Sequence, residues 1–225
     1  MFDKVAGRYD FMNRVLTGGI DIRWRKKAIA TLKKYQPRQL LDIATGTGDL
    51  AIMACKALQP EKITGIDISG EMLEIGRKKV RKENLNEKIT LLKGDSEHLE
   101  FANNSFDAVM AAFGVRNFEN LEKGLSEIHR VLKQGGQLMI LEFSQPRAGL
   151  FKPVYRFYMK IIAPQFAKMF SKDKEAYLYL NESAKVFPER EDFVTLLNSA
   201  GFINTSYKPL SAGICCIYRG EKATA

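Results

Sequence analysis

The chain is poor in the residues that hold metals and disulfides: 3 cysteines and 2 histidines among 225 residues. Cys55, Cys215 and Cys216 cannot all pair with one another, and the adjacent Cys215 and Cys216 point to opposite faces of a strand-like run. They read as small hydrophobes of a reducing compartment. Neither His98 nor His129 stands at a metal-ligand spacing, so no zinc centre is expected. No run of about 18 apolar residues occurs, which argues against a membrane-spanning helix. The opening Met1-Phe2-Asp3-Lys4 lacks an apolar signal core, so the expected compartment is the cytoplasm. No internal repeat or low-complexity tract is present.

What the chain does have is a 45% hydrophobic content, enough for an ordinary core, in a length that suits one domain. Its net charge of +9 suits an anionic partner such as a phosphate-bearing ligand, nucleic acid or an acidic membrane, or serves solubility alone. Apolar runs alternate with helical spacing. Strands are expected at Gln39–Ile43, Lys62–Ile66, Ile89–Lys93, Phe106–Ala111 and Gln137–Phe143. Helices are expected at Asp49–Ala57, Glu71–Lys82 and Leu121–Leu132, the last stopped by Gly135-Gly136. This alternation predicts a parallel sheet with helices on both faces. After a strand-poor stretch at 145–187, a helix over Arg190–Ser199 leads to runs at Phe202–Leu210 and Ile214–Tyr218. The short turn between those two runs predicts an antiparallel hairpin, because a parallel crossover needs a dozen residues or more.

The most informative segment is Leu40-Leu41-Asp42-Ile43-Ala44-Thr45-Gly46-Thr47-Gly48-Asp49-Leu50. A strand runs into a turn containing Gly46 and Gly48, and a helix follows, so a backbone loop can approach a ligand closely. Asp67 closes the second strand about twenty residues later, where a carboxylate can accept both ribose hydroxyls. Asp95-Ser96 closes the third strand, where a short polar side chain can read an adenine amino group. Ala111-Ala112-Phe113-Gly114 closes the fourth with small residues that leave room for the other end of a ligand. Taken singly, each has a plainer reading: a tight turn, a cap for the helix near Gly70, a turn aspartate. Their coincidence at consecutive strand ends points to a nucleoside ligand. Gly46-Thr47-Gly48-Asp49-Leu50-Ala51 also fits the short G-x-G-x-x-A pattern of nicotinamide enzymes, which keeps an NAD-dependent oxidoreductase open. Against it stands Asp42, whose carboxylate can face a sulfonium or an ammonium group, together with the Thr47 hydroxyl and the terminal hairpin.

At these residues the chain resembles the class I S-adenosylmethionine-dependent methyltransferases. Within them it is similar to the UbiE/MenG family, which C-methylates the ring of demethylmenaquinone and, in some members, a ubiquinone precursor. The resemblance runs over nearly the whole chain: Phe2-Asp3-Lys4-Val5-Ala6-Gly7-Arg8-Tyr9-Asp10-Phe11-Met12-Asn13, Trp24-Arg25, the glycine turn, Gly65-Ile66-Asp67-Ile68-Ser69 and Met72-Leu73. It continues through Phe113-Gly114-Val115-Arg116-Asn117, Arg130-Val131-Leu132-Lys133-Gln134-Gly135-Gly136, Leu141-Glu142-Phe143-Ser144 and Phe187-Pro188. Two positions depart: Thr45 stands where the family commonly has a glycine, and Gln134 where it has a proline. The resemblance implies an α/β, Rossmann-like three-layer sandwich. Its sheet would be seven-stranded and mostly parallel with an antiparallel last strand, with a helical insertion near 145–187. It implies a single domain with residues 1–35 as a helical lid, S-adenosyl-L-methionine as cofactor, and Thr47, Asp67, Asp95, Ser96 and Ala112 as its contacts, alongside Gly46, Gly48 and Asp42.

Methylating a quinol ring requires the ring hydroxyl, with a pKa of about 10, to lose its proton or lie beside a fixed positive charge. Arg116 and Asn117 are candidates to hold a quinol oxygen, one as a cation and one as a hydrogen-bond partner. Tyr9 and Asp10 are candidates to assist deprotonation from a helical opening, and Glu142 is either an acid–base group or the partner of Arg116 or Arg8. The run Gln145–Ser183 interleaves aromatics with bases, which suits a slot for an isoprenoid tail or peripheral contact with the inner face of the cell membrane. RNA could also use such a run, but the chain has no separate RNA-binding module, so no nucleic-acid partner is expected. The expected substrate is polyprenylated demethylmenaquinol. A noncatalytic isoprenoid-binding protein of the same fold is the other alternative, and homo-oligomerisation is left open.

Overall fold

The structure, a computed structural model, describes residues 17–146 and 187–224. Tyr9, Asp10 and most of the 145–187 segment therefore lie outside the described residues. The elements in chain order are α1 (Ile20–Ala30), β1 (Gln39–Ile43), α2 (Asp49–Leu58), β2 (Lys62–Asp67), α3 (Gly70–Lys82), β3 (Ile89–Lys93), β4 (Phe106–Ala112), α4 (Leu121–Val131), β5 (Leu132–Phe143), α5 (Glu191–Ser199), β6 (Phe202–Leu210) and β7 (Cys215–Lys222). The seven strands form one sheet in the order β3-β2-β1-β4-β5-β7-β6, with β7 antiparallel to both its neighbours and the rest parallel.

Side-chain alternation along the central strands builds two cores. Leu40, Ala108, Met110, Met139 and Leu141 pack toward α1, α2 and α3. Leu41, Ile43, Val109, Leu138 and Ile140 pack toward α4 and α5. A strand buried on both faces reads as a continuous apolar run rather than an alternating one, which is why β1 and β4 stand out in the sequence. Cys215 and Cys216 are free and buried and fall in opposite cores, as strand alternation requires.

The elements differ from expectation in two places. α4 ends at Val131, and Leu132 is already extended (φ −68°, ψ 139°) and paired with Phe106. Sheet pairing of a fully buried leucine overrides its helical propensity, and Gly135, at φ +72°, serves the irregular start of β5 instead of stopping the helix. β7 runs on to Lys222, because Gly220 and Glu221 pair with Leu138 and Gln137 although their composition is not strand-like.

The chain departs from β5 through Ser144 and Gln145 and re-enters before α5. The two stems are joined: Gln145 N–H donates to Glu189 at 2.7 Å, and the buried Arg190 donates to the Gln145 carbonyl at 2.5 Å. The backbone N–H of Arg190 in turn donates to the Tyr218 hydroxyl at 2.8 Å. Among the described residues no helix is long and apolar enough to cross a membrane.

Candidate active site

Strand order reverses at β1, which lies between β2 and β4, so the chain leaves in opposite directions from adjacent carboxyl ends and opens a crevice there. A cavity of about 490 Å³ fills it. Its walls include Asp42, Gly46, Thr47 and Asp67 from the first two strand ends, Asp95 and Ser96 from the third, and Ala112 and Asn117 beyond the fourth. The structure thus brings together on one cavity every expected contact of this group except Gly48 and Arg116.

The turn after β1 is shaped by two glycines in the left-handed region, Gly46 at φ +56° and Gly48 at φ +77°. A Cβ on Gly46 would meet nothing within 4 Å, so that position faces open space. Gly48 does not line the cavity; it stands immediately before α2 and sets the angle at which the helix starts. Thr45 needs no left-handed backbone, and its hydroxyl donates to Asp42 at 2.6 Å, a bond glycine could not make. The strain falls on its neighbour Ala44, at φ +51°, and on Phe113 at φ +61°, two non-glycine residues in a region side chains rarely adopt, both on the cavity wall.

Asp67 is tied in place by two backbone donors, Gly46 N–H at 2.8 Å and Ser69 N–H at 2.9 Å. It does not cap α3. Ser69 does, accepting from Met72 N–H at 3.2 Å. Fixed in this way, the carboxylate keeps acceptor capacity for the hydroxyls of a ligand. Asp95 accepts from Glu97 N–H at 2.9 Å, so one of its oxygens shapes its own turn while the residue still lines the cavity. Ile68, 64% exposed, adds an apolar surface beside Asp67.

Asp42 is fully buried, and burial raises its carboxyl to about 7 against the opposing pull of the Thr45 hydroxyl and the nearby Arg25 guanidinium. Its Oδ1 has no hydrogen-bond partner among the described residues, and neither has Oδ1 of Asn117. Buried acceptors are rarely left unmatched, so both mark places where a ligand can complete the site.

Arg116 requires a correction. It does not line the cavity; its side chain is 3% exposed and its guanidinium donates to Glu142 at 2.5 Å and to the Phe113 carbonyl at 2.6 Å. A guanidinium with a carboxylate this close and a carbonyl along the same turn is held in the wall, and of the pair only Asn117 lines the cavity. Glu142 is likewise the partner of Arg116 and not a free acid–base group.

Three further residues escape the sequence reading. Lys79, on α3, reaches the turn and donates to Thr47 Oγ1 at 2.8 Å and Asp49 at 2.7 Å. Gly76, one turn earlier, lets the turn pack against the helix: a Cβ there would lie 3.1 Å from the Thr47 backbone. Arg25, on α1, is 8% exposed and lines the cavity. The spacing of Trp24, Ala28 and Ile29 marks the buried face of α1 and was the available signal for Arg25; nothing local marks Lys79 or Gly76.

The crevice therefore offers a carboxylate for vicinal hydroxyls, a polar turn for a base, a buried acid for a cation and an open glycine face, which together fit S-adenosylmethionine. Known proteins agree. Residues 1–222 match the model of the ubiE/COQ5 methyltransferase family. A demethylmenaquinone methyltransferase of Bacteroides fragilis is 48% identical over 99% of this chain and 91% of its own length. A ubiquinone/menaquinone biosynthesis C-methyltransferase of Geotalea daltonii is 44% identical over 99% of this chain and 94% of its own. In fold, the chain is similar to a SAM-dependent methyltransferase from Thermotoga maritima, with TM-score 0.64 at 21% identity over 98% of each chain.

Proposed function

The chain belongs to the ubiE/COQ5 methyltransferase family, and on that premise we propose that it methylates a ring carbon of demethylmenaquinol to give menaquinol. It is a methyltransferase whose cofactor is S-adenosylmethionine, and neither oxidoreduction with a nicotinamide nor noncatalytic lipid binding has support. When bound, S-adenosylmethionine supplies a methyl group on a sulfonium, open to in-line attack by a ring carbon.

The observation that carries the residue roles is the convergence of Asp42, Asp67 and Asp95 from three strand ends on one cavity. In this reading Asp67 accepts the ribose hydroxyls, and Asp95 and Ser96 read the adenine. Gly46, Thr47 and Ala112 bound the ligand's middle, and Asp42 balances its positive end. Asn117 orients the ring, its Oδ1 accepting from a quinol hydroxyl, and loss of a quinol proton to a base pushes electron density onto the ring. The ring proton displaced by the methyl group then leaves to a base, for which Tyr9 and Asp10 are the candidates. Arg116 acts at one remove, holding with Glu142 the loop that presents Asn117.

The acceptor is a polyprenylated lipid, so the segment 145–187 is assigned to its side of the site, with peripheral contact at the inner face of the cell membrane. Transfer of a labelled methyl group from S-adenosylmethionine to reduced demethylmenaquinone tests the reaction. Incorporation is expected; none, with the donor bound, would reject the acceptor. Calorimetry against S-adenosylhomocysteine and NADH tests the donor, and preference for NADH would reject the whole reading. Sedimentation with anionic vesicles tests the membrane contact.

A further inference from the structure

Arg25 is buried where a guanidinium is expensive to bury. It sits on the core-facing side of α1, in a helix whose Trp24, Ala28 and Ile29 pack into the hydrophobic layer beneath. Removing such a group from water is tolerated only with partners. Two are present. Asp21, one helical turn earlier, takes Nη1 in an ion pair and is itself held by the Thr17 hydroxyl at 3.0 Å. The ring of Phe113 lies beneath the guanidinium, 5.1 Å from its centre. These contacts account for part of the fork, yet Nε has no hydrogen-bond partner among the described residues. Arg116 and Arg190 leave the same nitrogen without a hydrogen bond among the described residues, but of the three only Arg25 lines the cavity.

Asp42 lines the same cavity with the complementary deficiency, a buried Oδ1 that accepts from nothing among the described residues. The two groups are close enough for the charge on Arg25 to act on Asp42. The cavity lining thus carries an unsatisfied donor on a cation and an unsatisfied acceptor on an acid. The complement of that pair is a molecule with an ammonium and a carboxylate on one carbon, the zwitterion of an α-amino acid. An inorganic anion would satisfy Arg25 and leave Asp42 worse placed; a simple amine would do the reverse.

We infer that Arg25 binds the carboxylate of the methyl donor's amino-acid end while Asp42 takes its ammonium group, so that the two residues form a zwitterion clamp. The inference rests on the donor reading above and adds to it a residue on α1. With Asp21 still paired to Arg25, each charge of the clamp has an opposite charge beside it once the donor is bound. α1 thereby becomes part of the donor site as well as a layer of the fold.

The test compares two ligands on the full chain by calorimetry: S-adenosylhomocysteine, which has the amino-acid end, and 5′-methylthioadenosine, which lacks it. Arg25→Met should weaken S-adenosylhomocysteine roughly 10- to 100-fold, the scale of hydrogen bonds to a charged group, and leave methylthioadenosine within about 2-fold. Arg25→Lys, which keeps the charge without the fork and protects the result should the Met variant fail to fold, should fall between. Equal losses for both ligands would reduce Arg25 to a structural role and overturn the clamp. So would unchanged S-adenosylhomocysteine affinity with a raised KM for the quinol, which would give Arg25 to the acceptor instead. Failure of the unaltered protein to bind S-adenosylhomocysteine is a separate outcome, and it would remove the donor reading together with the clamp.

Discussion

Arg25 and Arg116 occupy two neighbouring regions of the molecule and look alike in isolation. Each is buried, each is paired with a carboxylate, and each lies over a phenylalanine ring, at 5.1 Å for Arg25 on Phe113 and 5.4 Å for Arg116 on Phe143. They differ in what surrounds them. Arg116 faces Glu142, which is completely buried, and fastens the end of β4 to β5. Arg25 faces a cavity in which an aspartate oxygen awaits a donor. Burial and pairing therefore do not distinguish a wall from a binding surface, and neither does an Nε with no hydrogen bond among the described residues, which both arginines have; a place on the cavity lining does.

The strongest way to break this contrast is Glu142→Ala. It strands a buried guanidinium, and the fold should lose about 3–5 kcal/mol in urea unfolding; a loss below about 1 kcal/mol would remove Arg116 from the structural side of the comparison. Next comes Asp67→Ala, which should weaken S-adenosylhomocysteine by roughly 1–3 kcal/mol with a smaller change in Tm than Glu142→Ala. Unchanged affinity would take Asp67 out of the site.

Asp42 sharpens the comparison through pH. Its carboxyl, raised to about 7 by burial, is favoured in its ionised form by a bound ammonium group, so its pKa falls in the complex. Affinity for S-adenosylhomocysteine should therefore rise with pH up to about 7, by at most about tenfold per pH unit, and then level off. Asp42→Asn should flatten the profile; a profile unchanged in Asp42→Asn would assign it elsewhere. In the absence of ligand the same carboxyl works against the fold. Bound to more protons when folded than unfolded, it makes stability decline as pH climbs from about 4 toward 7. The smallest effect is Ser69→Ala, a lost helix cap of about 1 kcal/mol in thermal unfolding; no loss would return the capping role to Asp67.

Much of the scaffold was legible because its signals are local. β1 and β3 follow from apolar runs bounded by turn residues, and the β6–β7 hairpin from a turn too short for a crossover. The strand-end carboxylates were legible for the same reason, since parallel topology carries each to one edge. What escaped depends on contacts distant in sequence. Arg116 read as a cation for a quinol oxygen, with Glu142 as its partner only one alternative, because Glu142 belongs to the adjacent strand and nothing local fixes the pair. Lys79 reaches Thr47 from α3, and no spacing along the chain announces that reach. Leu132 was assigned to a helix because only its pairing with Phe106 makes it a strand residue.

The closed stem at Gln145, Glu189 and Arg190 has a consequence for how such proteins diversify. Because the two strands of chain are fastened to each other at the rim of the sheet, whatever they enclose can lengthen or shorten without the sheet registering the change, at roughly 0.6 kcal/mol per doubling of length. The enclosed segment can then vary on its own, while the machinery that holds the donor is inherited intact.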